Sequence, residues 1–204
     1  LIAIIDYGAG NLGNVKRAFD YLNIRAEIVS TPAHLSGAKG AVLPGVGAFA
    51  SGMAGLKKRN LVTPLKEFVR EGHPFLGICL GMQLLFEGSF EDLEAEGLGI
   101  FSGRCRKFSP REVIKVPHMG WNSLAFNKED KLIRDLPDSY LYFVHSFYVP
   151  IKKEILLASC QYGDNKFMAA VKKNNIWGFQ PHPEKSGSTG LKILANFAEV
   201  VKRC

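Results

Sequence analysis

The sequence predicts an α/β fold: a mostly parallel central sheet flanked by helices, continued by an antiparallel, strand-rich C-terminal half, in a single domain spanning residues 1–204. Up to Glu91, short unbroken apolar runs alternate with helix-like segments, as expected of a parallel sheet buried on both faces. Beyond Glu91 the strand candidates crowd together, separated by short polar turns that favour hairpins. The chain then closes on an amphipathic helix.

Taken in order, "IAIID" is a first strand and Leu12 to Leu22 a helix entered through a glycine-rich turn. "AEIVS" and "GAVLP" are further strands, Leu61 to Arg70 a helix, "PFLGIC" a strand, and Gly81 to Glu87 a helix with Met82, Leu84, Leu85 and Phe86 on its apolar side. The later strands are "GIFSGRCRKF", "GWNSLAF", "YLYFVHSFYV", "ILLASCQY", "FMAAVKK" and "IWGFQPH", the last three linked by the turns "YGDNK" and "KKNN". In "SGSTGLKILANFAEVVKR", Leu191, Leu194, Phe197 and Val201 recur at helical spacing and face inward.

Composition narrows the function. With 204 residues, 47% hydrophobic and 22% charged, the chain is an ordinary globular protein that buries roughly 70% of its unfolded surface. No apolar run approaches the ~20 residues of a membrane span, so no membrane association is expected. The N-terminal "LIAIID" lacks a basic region and reads as a strand, not a signal peptide, which makes the cytoplasm the expected compartment. Cys79, Cys105, Cys160 and Cys204 form no CxxC pair, so they read as reduced thiols, and neither a metal nor a cofactor is expected. The net charge of +7 is dispersed in small groups such as Lys57, Lys58 and Arg59, a solvated face and not a nucleic-acid surface.

Gly8-Ala9-Gly10-Asn11-Leu12-Gly13 fits the G-x-G-x-x-G dinucleotide fingerprint between a strand and a helix. The acid that should hold a ribose belongs at the end of the second strand, where Ser30 and Thr31 stand instead, and Glu27 lies near that strand's start. The glycines therefore read as a turn that needs positive φ angles.

In "GICLGMQLLFE", Gly77-Ile78-Cys79-Leu80-Gly81 has the form G-x-C-x-G between strand and helix, the thiol counterpart of a nucleophile elbow. The helix start favours a thiolate and offers free N–H groups, that of Leu80 first, to an oxyanion. On this stretch alone, a cysteine packed as a small hydrophobe explains the residue equally well. The partner stretch is "GFQPHPEKS": Pro183 keeps His182 extended, so His182 and Glu184 can project from one face and pair as base and orienting carboxylate. In "LPGVGAF", Gly45, Val46 and Gly47 leave a strand that should end at the same sheet edge as Cys79 and can turn a second N–H to the oxyanion.

These motifs make the chain resemble the class I, or triad, glutamine amidotransferases, recognised by G-x-C-x-G-x-Q and a late H-P-E. The match extends to the glutaminase subunits of imidazole glycerol phosphate synthase, through "IIDYGAGNLGNV", "LPGVGAF", "VPHMGWN", "YFVHSFY" and "GFQPHPEKS". The resemblance implies Cys79 as nucleophile, His182 as general base and acid, Glu184 as orienting group, and Gly45, Val46, Gly47 and Leu80 at the oxyanion. It implies glutamine held by Gly47, Gln83, His145, Ser146 and Phe147. A (βα)₈ cyclase subunit would dock on Asn11, Asn14, Pro117, His118, Met119, Gly120, Trp121 and Lys185, with a core position as the competing reading of Trp121. Pro181 departs from the family pattern, which commonly has an aromatic before His-Pro-Glu; one backbone N–H is lost there. A glutaminase for another synthase, a γ-glutamyl hydrolase or cysteine peptidase, and a non-catalytic regulatory subunit are the alternatives; "PHMGWN" argues against the first and an intact Cys-His-Glu set against the last.

Overall fold

The computed structural model describes residues 1–111, 113 and 115–204. Its main sheet has the order β2-β1-β3-β4-β14-β13-β12-β9. β2 (Ala26–Val29), β1 (Ile2–Ile5), β3 (Gly40–Gly45), β4 (Phe75–Cys79) and β14 (Ile176–Phe179) run parallel. β13 (Asn165–Lys173), β12 (Leu156–Tyr162) and β9 (Ala125–Phe126) extend it antiparallel. The parallel first half and the β12–β13–β14 hairpins match the sequence pattern, except that β14, expected in the antiparallel half, also joins β4 in parallel because it pairs along the open edge of the parallel strands.

Each parallel strand sends alternate residues to opposite faces, and both faces are covered. On one side Ile2, Ile4, Val42 and Leu76 pack against Val15, Ala18 and Phe19 of α1 (Leu12–Tyr21) and Leu194 and Phe197 of α6 (Gly187–Lys202). On the other, Ala3, Ile5, Leu43 and Phe75 meet α3 (Phe49–Lys58) and α4 (Val62–Arg70) through Phe49, Met53, Leu56 and Leu65. Each fully buried aromatic such as Phe19 contributes about 1.5–3 kcal/mol over an exposed position. In α6 the inward stripe is Ile193, Leu194, Phe197 and Val201, while Leu191 is half-buried and packs at its margin.

Several elements differ from the sequence reading. The helix after Cys79 is only α5 (Leu80–Leu84), and Phe86 starts β5 (Phe86–Ser89). Phe86 pairs with Phe101 of β7 (Phe101–Lys107), their tilted rings 5.3 Å apart between centroids, so sheet pairing overrides the helical spacing. β6 (Asp92–Glu96) and the helices α2 (Pro32–Leu35) and α3 carry no clear periodic signal. In α3 the reason is Gly55: a Cβ there would lie 2.2 Å from the Tyr7 carbonyl, so close helix-to-strand approach demands a residue that masks the helical pattern. "GWNSLAF" divides between β8 (His118–Ser123) and β9, and "YLYFVHSFYV" between β10 (Tyr140–His145) and β11 (Phe147–Tyr148), each pair serving different sheets. β8 and β10 form an antiparallel ribbon; β11, β7, β5 and β6 form a third sheet. Among the described residues no helix is long and apolar enough to cross a membrane.

The "GAGNLG" segment is a turn with Gly8 and Gly10 at φ +88° and +108°, and the Asn11 side chain caps α1 by accepting from Asn14 N. Glu27 is exposed and paired to Arg25, remote in role from any ribose.

Candidate active site

β4 ends on Cys79, which is held at φ +53°, ψ −111°, a strained conformation for a residue with a Cβ. The turn is forced by close packing: a Cβ on Gly81 would lie 1.7 Å from the Leu43 carbonyl of β3, so α5 can press on the sheet only with glycine there. Gly45 of β3 pairs with Cys79, which brings the Gly45–Gly47 loop to the sheet edge expected for it. Gly45 is buried, Val46 is 41% exposed, and Gly47 has φ +102°.

β14 lies on the other side of β4 and leads to Gln180, Pro181 and His182. His182 Nδ1 is 2.8 Å from Glu184 Oε1, and both side chains are 2% exposed. His182 itself is extended, but Pro183–Lys185 form a 3₁₀ turn, so the pair meets across a turn and not along one face of a strand. The segment is fastened by His182 N to Tyr142 O at 2.9 Å and Gln180 N to Ala169 O at 2.8 Å, so buried Pro181 removes no N–H that the neighbours need. Burial by itself would push the His182 imidazole down; interaction with the Cys79 sulfur and the Glu184 carboxylate outweighs it and lifts the pKa well above the ordinary value. Nε2, the nitrogen left over, makes no hydrogen bond of ordinary geometry among the described residues, although the nearby Cys79 sulfur raises the His182 pKa. The sulfur lies 3.9 Å from Val144 O and 3.6 Å from Gln180 Nε2.

Beside Cys79 opens a cavity of about 420 Å³, lined by Val46, Gly47, Leu80, Gln83, Glu91, Lys107, Pro117 and Val144 to Phe147. A larger hollow of about 650 Å³ between Phe126 and Arg134 is lined by no thiol or hydroxyl among the described residues. The smaller one is lined by the Cys79 thiol and the glycine loop at the carboxyl ends of parallel strands, with the imidazole–carboxylate pair buried beside the thiol, an arrangement suited to acyl transfer from a small amide.

The glutamine amidotransferase class-I family model matches residues 3–201. The chain is 46% identical over 202 residues to the imidazole glycerol phosphate synthase subunit HisH of Desulfitobacterium hafniense, covering 98% of this chain and 95% of the relative. It is 44% identical over 200 residues to the same subunit of Streptococcus mutans, covering 98% and 99%. The chain belongs to the class-I glutamine amidotransferases, among the HisH subunits. In fold it is similar to a crystal structure titled glutamine amidotransferase and to PurLQS from Thermotoga maritima, each with TM-score 0.77, 18% identity and 98% of both chains covered.

Seen as a glutamine amidotransferase, the chain places its other expected residues unequally. Gln83 reaches the cavity, but its amide nitrogen donates to Phe147 O and Gln180 Oε1, both at 2.9 Å, leaving Oε1 for a ligand. Ser146 and Phe147 line the cavity, and His145 does so while its ring turns inward to His118. Met119 and Trp121 are 58% and 57% exposed, which removes the core reading of Trp121. Trp121 meets Tyr142 edge-on, and Lys185 lies over the Tyr142 ring at 5.9 Å; Asn11 is exposed and Asn14 half-buried at the start of α1, which packs on the Pro183–Lys185 turn. Pro117 and Gly120 are half-buried. His118 corrects the expectation: it is 3% exposed, stacked on Tyr162 and Phe143, because strand alternation turns it away from the face of Met119 and Trp121.

Sequence reasoning missed Glu91, Lys107, Gln180 and Tyr7. Glu91 and Lys107 bring opposite charges to the cavity through the pairing of β5, β7 and β11, which no local motif announces. Glu91 Oε2 also accepts from Phe49 N at 2.8 Å. The Tyr7 hydroxyl is buried against Gly45 without a partner among the described residues, and burial, then the Cys79 charge, raise its pKa. "DYGAGN" and "FQPHPE" held the signal for Tyr7 and Gln180, read instead as a turn and a strand end.

Proposed function

We propose that Cys79, His182 and Glu184 are the triad with which this glutaminase subunit cleaves glutamine for imidazole glycerol phosphate synthesis in histidine biosynthesis. The observation that carries the assignment is the buried His182–Glu184 pair beside Cys79 at the wall of the cavity. Glutamine enters with its α-ammonium toward Glu91 and Gln83 Oε1 and its α-carboxylate toward Lys107, which leaves the side-chain amide at the sulfur. Sγ attacks the amide carbon, and the oxyanion is met by N–H groups of Leu80 and the Gly45–Gly47 loop. The tetrahedral adduct collapses as His182 gives its Nε2 proton to the departing nitrogen, which leaves ammonia and a glutamyl thioester. His182, now neutral, takes a proton from water; hydroxide adds to the thioester, the C–S bond breaks and glutamate leaves. Glu184 keeps the imidazole in the tautomer that presents Nε2 to the sulfur.

Ammonia in water at neutral pH is mostly protonated and no longer nucleophilic, so the product is best handed over without release. The ammonia passes to a (βα)₈ cyclase subunit that docks on the face of Met119 and Trp121, working in the cytoplasm, where a phosphorylated ribulosyl intermediate is converted to imidazole glycerol phosphate and an aminoimidazole carboxamide ribotide. The test is reconstitution with such a cyclase. Cys79→Ala should abolish glutamine-dependent synthesis and spare synthesis from added ammonium salt; retained glutamine hydrolysis in that variant ends the assignment.

A further inference from the structure

Gln180, His118 and His145 have no part in the mechanism above, yet these buried polar side chains belong to one unbroken series of hydrogen bonds. Chemistry fixes the direction of each. The Phe147 carbonyl can only accept, so it takes His145 Nδ1–H at 2.8 Å and one Gln83 Nε2–H at 2.9 Å. With its proton on Nδ1, neutral His145 accepts at Nε2, and His118 Nδ1–H donates to it at 3.0 Å. His118 then accepts at Nε2 from the Asn122 amide at 3.3 Å. Burial holds His118 down at about 4, and burial with the neighbouring imidazoles of His118 and His182 holds His145 at about 3, so both keep the neutral form this order requires. In the other direction, the second Gln83 N–H goes to Gln180 Oε1 at 2.9 Å and so turns the Gln180 amide nitrogen to the Cys79 sulfur at 3.6 Å.

We propose that Gln180 is a positioning residue for the Cys79 sulfur, and that the His118–His145 pair holds it in place through the Phe147 carbonyl and Gln83. The inference rests on the reading of Cys79 as the nucleophile. Besides the His182 imidazole, the sulfur's other hydrogen-bond contact among the described residues is the Val144 carbonyl at 3.9 Å, a weak acceptor that would draw the thiol proton away from His182. A donor at 3.6 Å fixes the sulfur's lone-pair side and with it the line of attack. Reversing any amide or tautomer would set two acceptors or two donors face to face, so the series has a single arrangement. It begins at Asn122, beside Trp121 on the strand whose other face carries exposed Met119 and Trp121. A displacement of β8 therefore moves His118 first and the sulfur's donor last.

The experiment uses the reconstituted synthase and scores both glutamine turnover and iodoacetamide alkylation of Cys79, the latter resolved by peptide mass spectrometry. Gln180→Met keeps the volume without the amide; kcat and alkylation should change together, kcat falling ~10–100-fold while KM stays within ~2-fold. Gln180→Glu, which can only accept toward the sulfur, should lose at least as much and serves if the Met variant fails to fold. His118→Phe retains the stacking on Tyr162 but breaks the series, and should lower kcat; His118→Asn, whose amide restores a donor near the Nδ1 position, should recover most of it. The double variant Gln180→Met with His118→Phe should have a kcat no lower than Gln180→Met alone, because the histidines reach the sulfur through Gln180. Full turnover in both Gln180 variants overturns the proposal, as do His118 and Gln180 effects that multiply independently. Cys79→Ala, run in parallel, isolates the underlying reading: turnover there defeats the nucleophile, whereas its loss beside a fully active Gln180→Met defeats only the positioning.

Discussion

At Glu184 one carboxylate oxygen is committed to His182, and the other, Oε2, is buried without a partner among the described residues. An incompletely satisfied buried carboxylate is costly, and under the proposed mechanism its charge supports the imidazolium formed during cleavage. Glu184→Gln should fold and lose ~10²–10⁴ in kcat, less than His182→Ala, which removes both proton transfers. Its pH profile is the sharper check. The Glu184 charge helps hold the His182 pKa up, so neutralising residue 184 lowers it, and the protonated His182 needed by the leaving nitrogen disappears at lower pH. The alkaline limb of kcat should therefore move toward acid; an unmoved limb would show that Glu184 supplies no charge to the site. Cys105 and Cys160, buried thiols whose pKa burial raises to about 12, should be replaceable by alanine with turnover retained.

Among the elements, α5 and the β8–β10 ribbon carry separable demands. Gly81→Ala drives a Cβ into the Leu43 carbonyl, a main-chain atom fixed in the middle of the sheet, and should cost ~3 kcal/mol in a urea titration together with most glutaminase activity. In the ribbon, His118 and His145 are depressed far below the unfolded histidine value of about 6.5, so the unfolded chain binds more protons than the native one at mildly acid pH. The stability they confer is present above pH ~6.5 and is lost as pH falls through their folded values, by up to ~1.4 kcal/mol per pH unit for each. His182 acts in the opposite sense, its contribution being full below pH ~6.5 and lost as pH rises through its raised value. Urea midpoints should peak near neutrality, and His118→Phe should flatten the acid side; an acid slope unchanged in that variant would remove His118 from the account.

For the whole molecule, the arrangement of surfaces bears on assembly and control. Met119 and Trp121 expose apolar side chains on a ribbon outside the main sheet, edged by Tyr142 and Lys185. Exposed tryptophan of this kind is enriched among binding hot spots. Trp121→Ala should leave unfolding within ~0.5 kcal/mol of the parent and weaken association with the cyclase by ~30-fold, measured by calorimetry. A destabilised, poorly soluble variant would contradict the exposure. In the chain alone, among the described residues, the sulfur's only hydrogen-bond acceptor is the Val144 carbonyl and the Tyr7 hydroxyl beside Gly45 has no partner. The isolated chain should accordingly hydrolyse glutamine slowly, with the partner and its ligand raising kcat far more than they lower KM.

The sequence by itself determined the parallel half of the sheet, the cysteine bend, the His-Pro-Glu and the glycine loop, because each is written within a few consecutive residues whose backbone needs are local. It also determined the family, through motifs spread from "DYGAGN" to "HPEKS". Only the tertiary structure decided that Phe86 leaves the helix after Cys79 for a strand, since its partner Phe101 is distant in the chain. The burial of His118 beneath exposed Met119 and Trp121 likewise depended on which face of β8 met β10 and the Tyr162 ring. Glu91, Lys107 and Gln180 reach the cavity or its sulfur through strand pairings and turns that bring far-apart residues together. Local backbone preference acts within a segment, whereas packing and hydrogen bonding across segments set where its polar side chains finish.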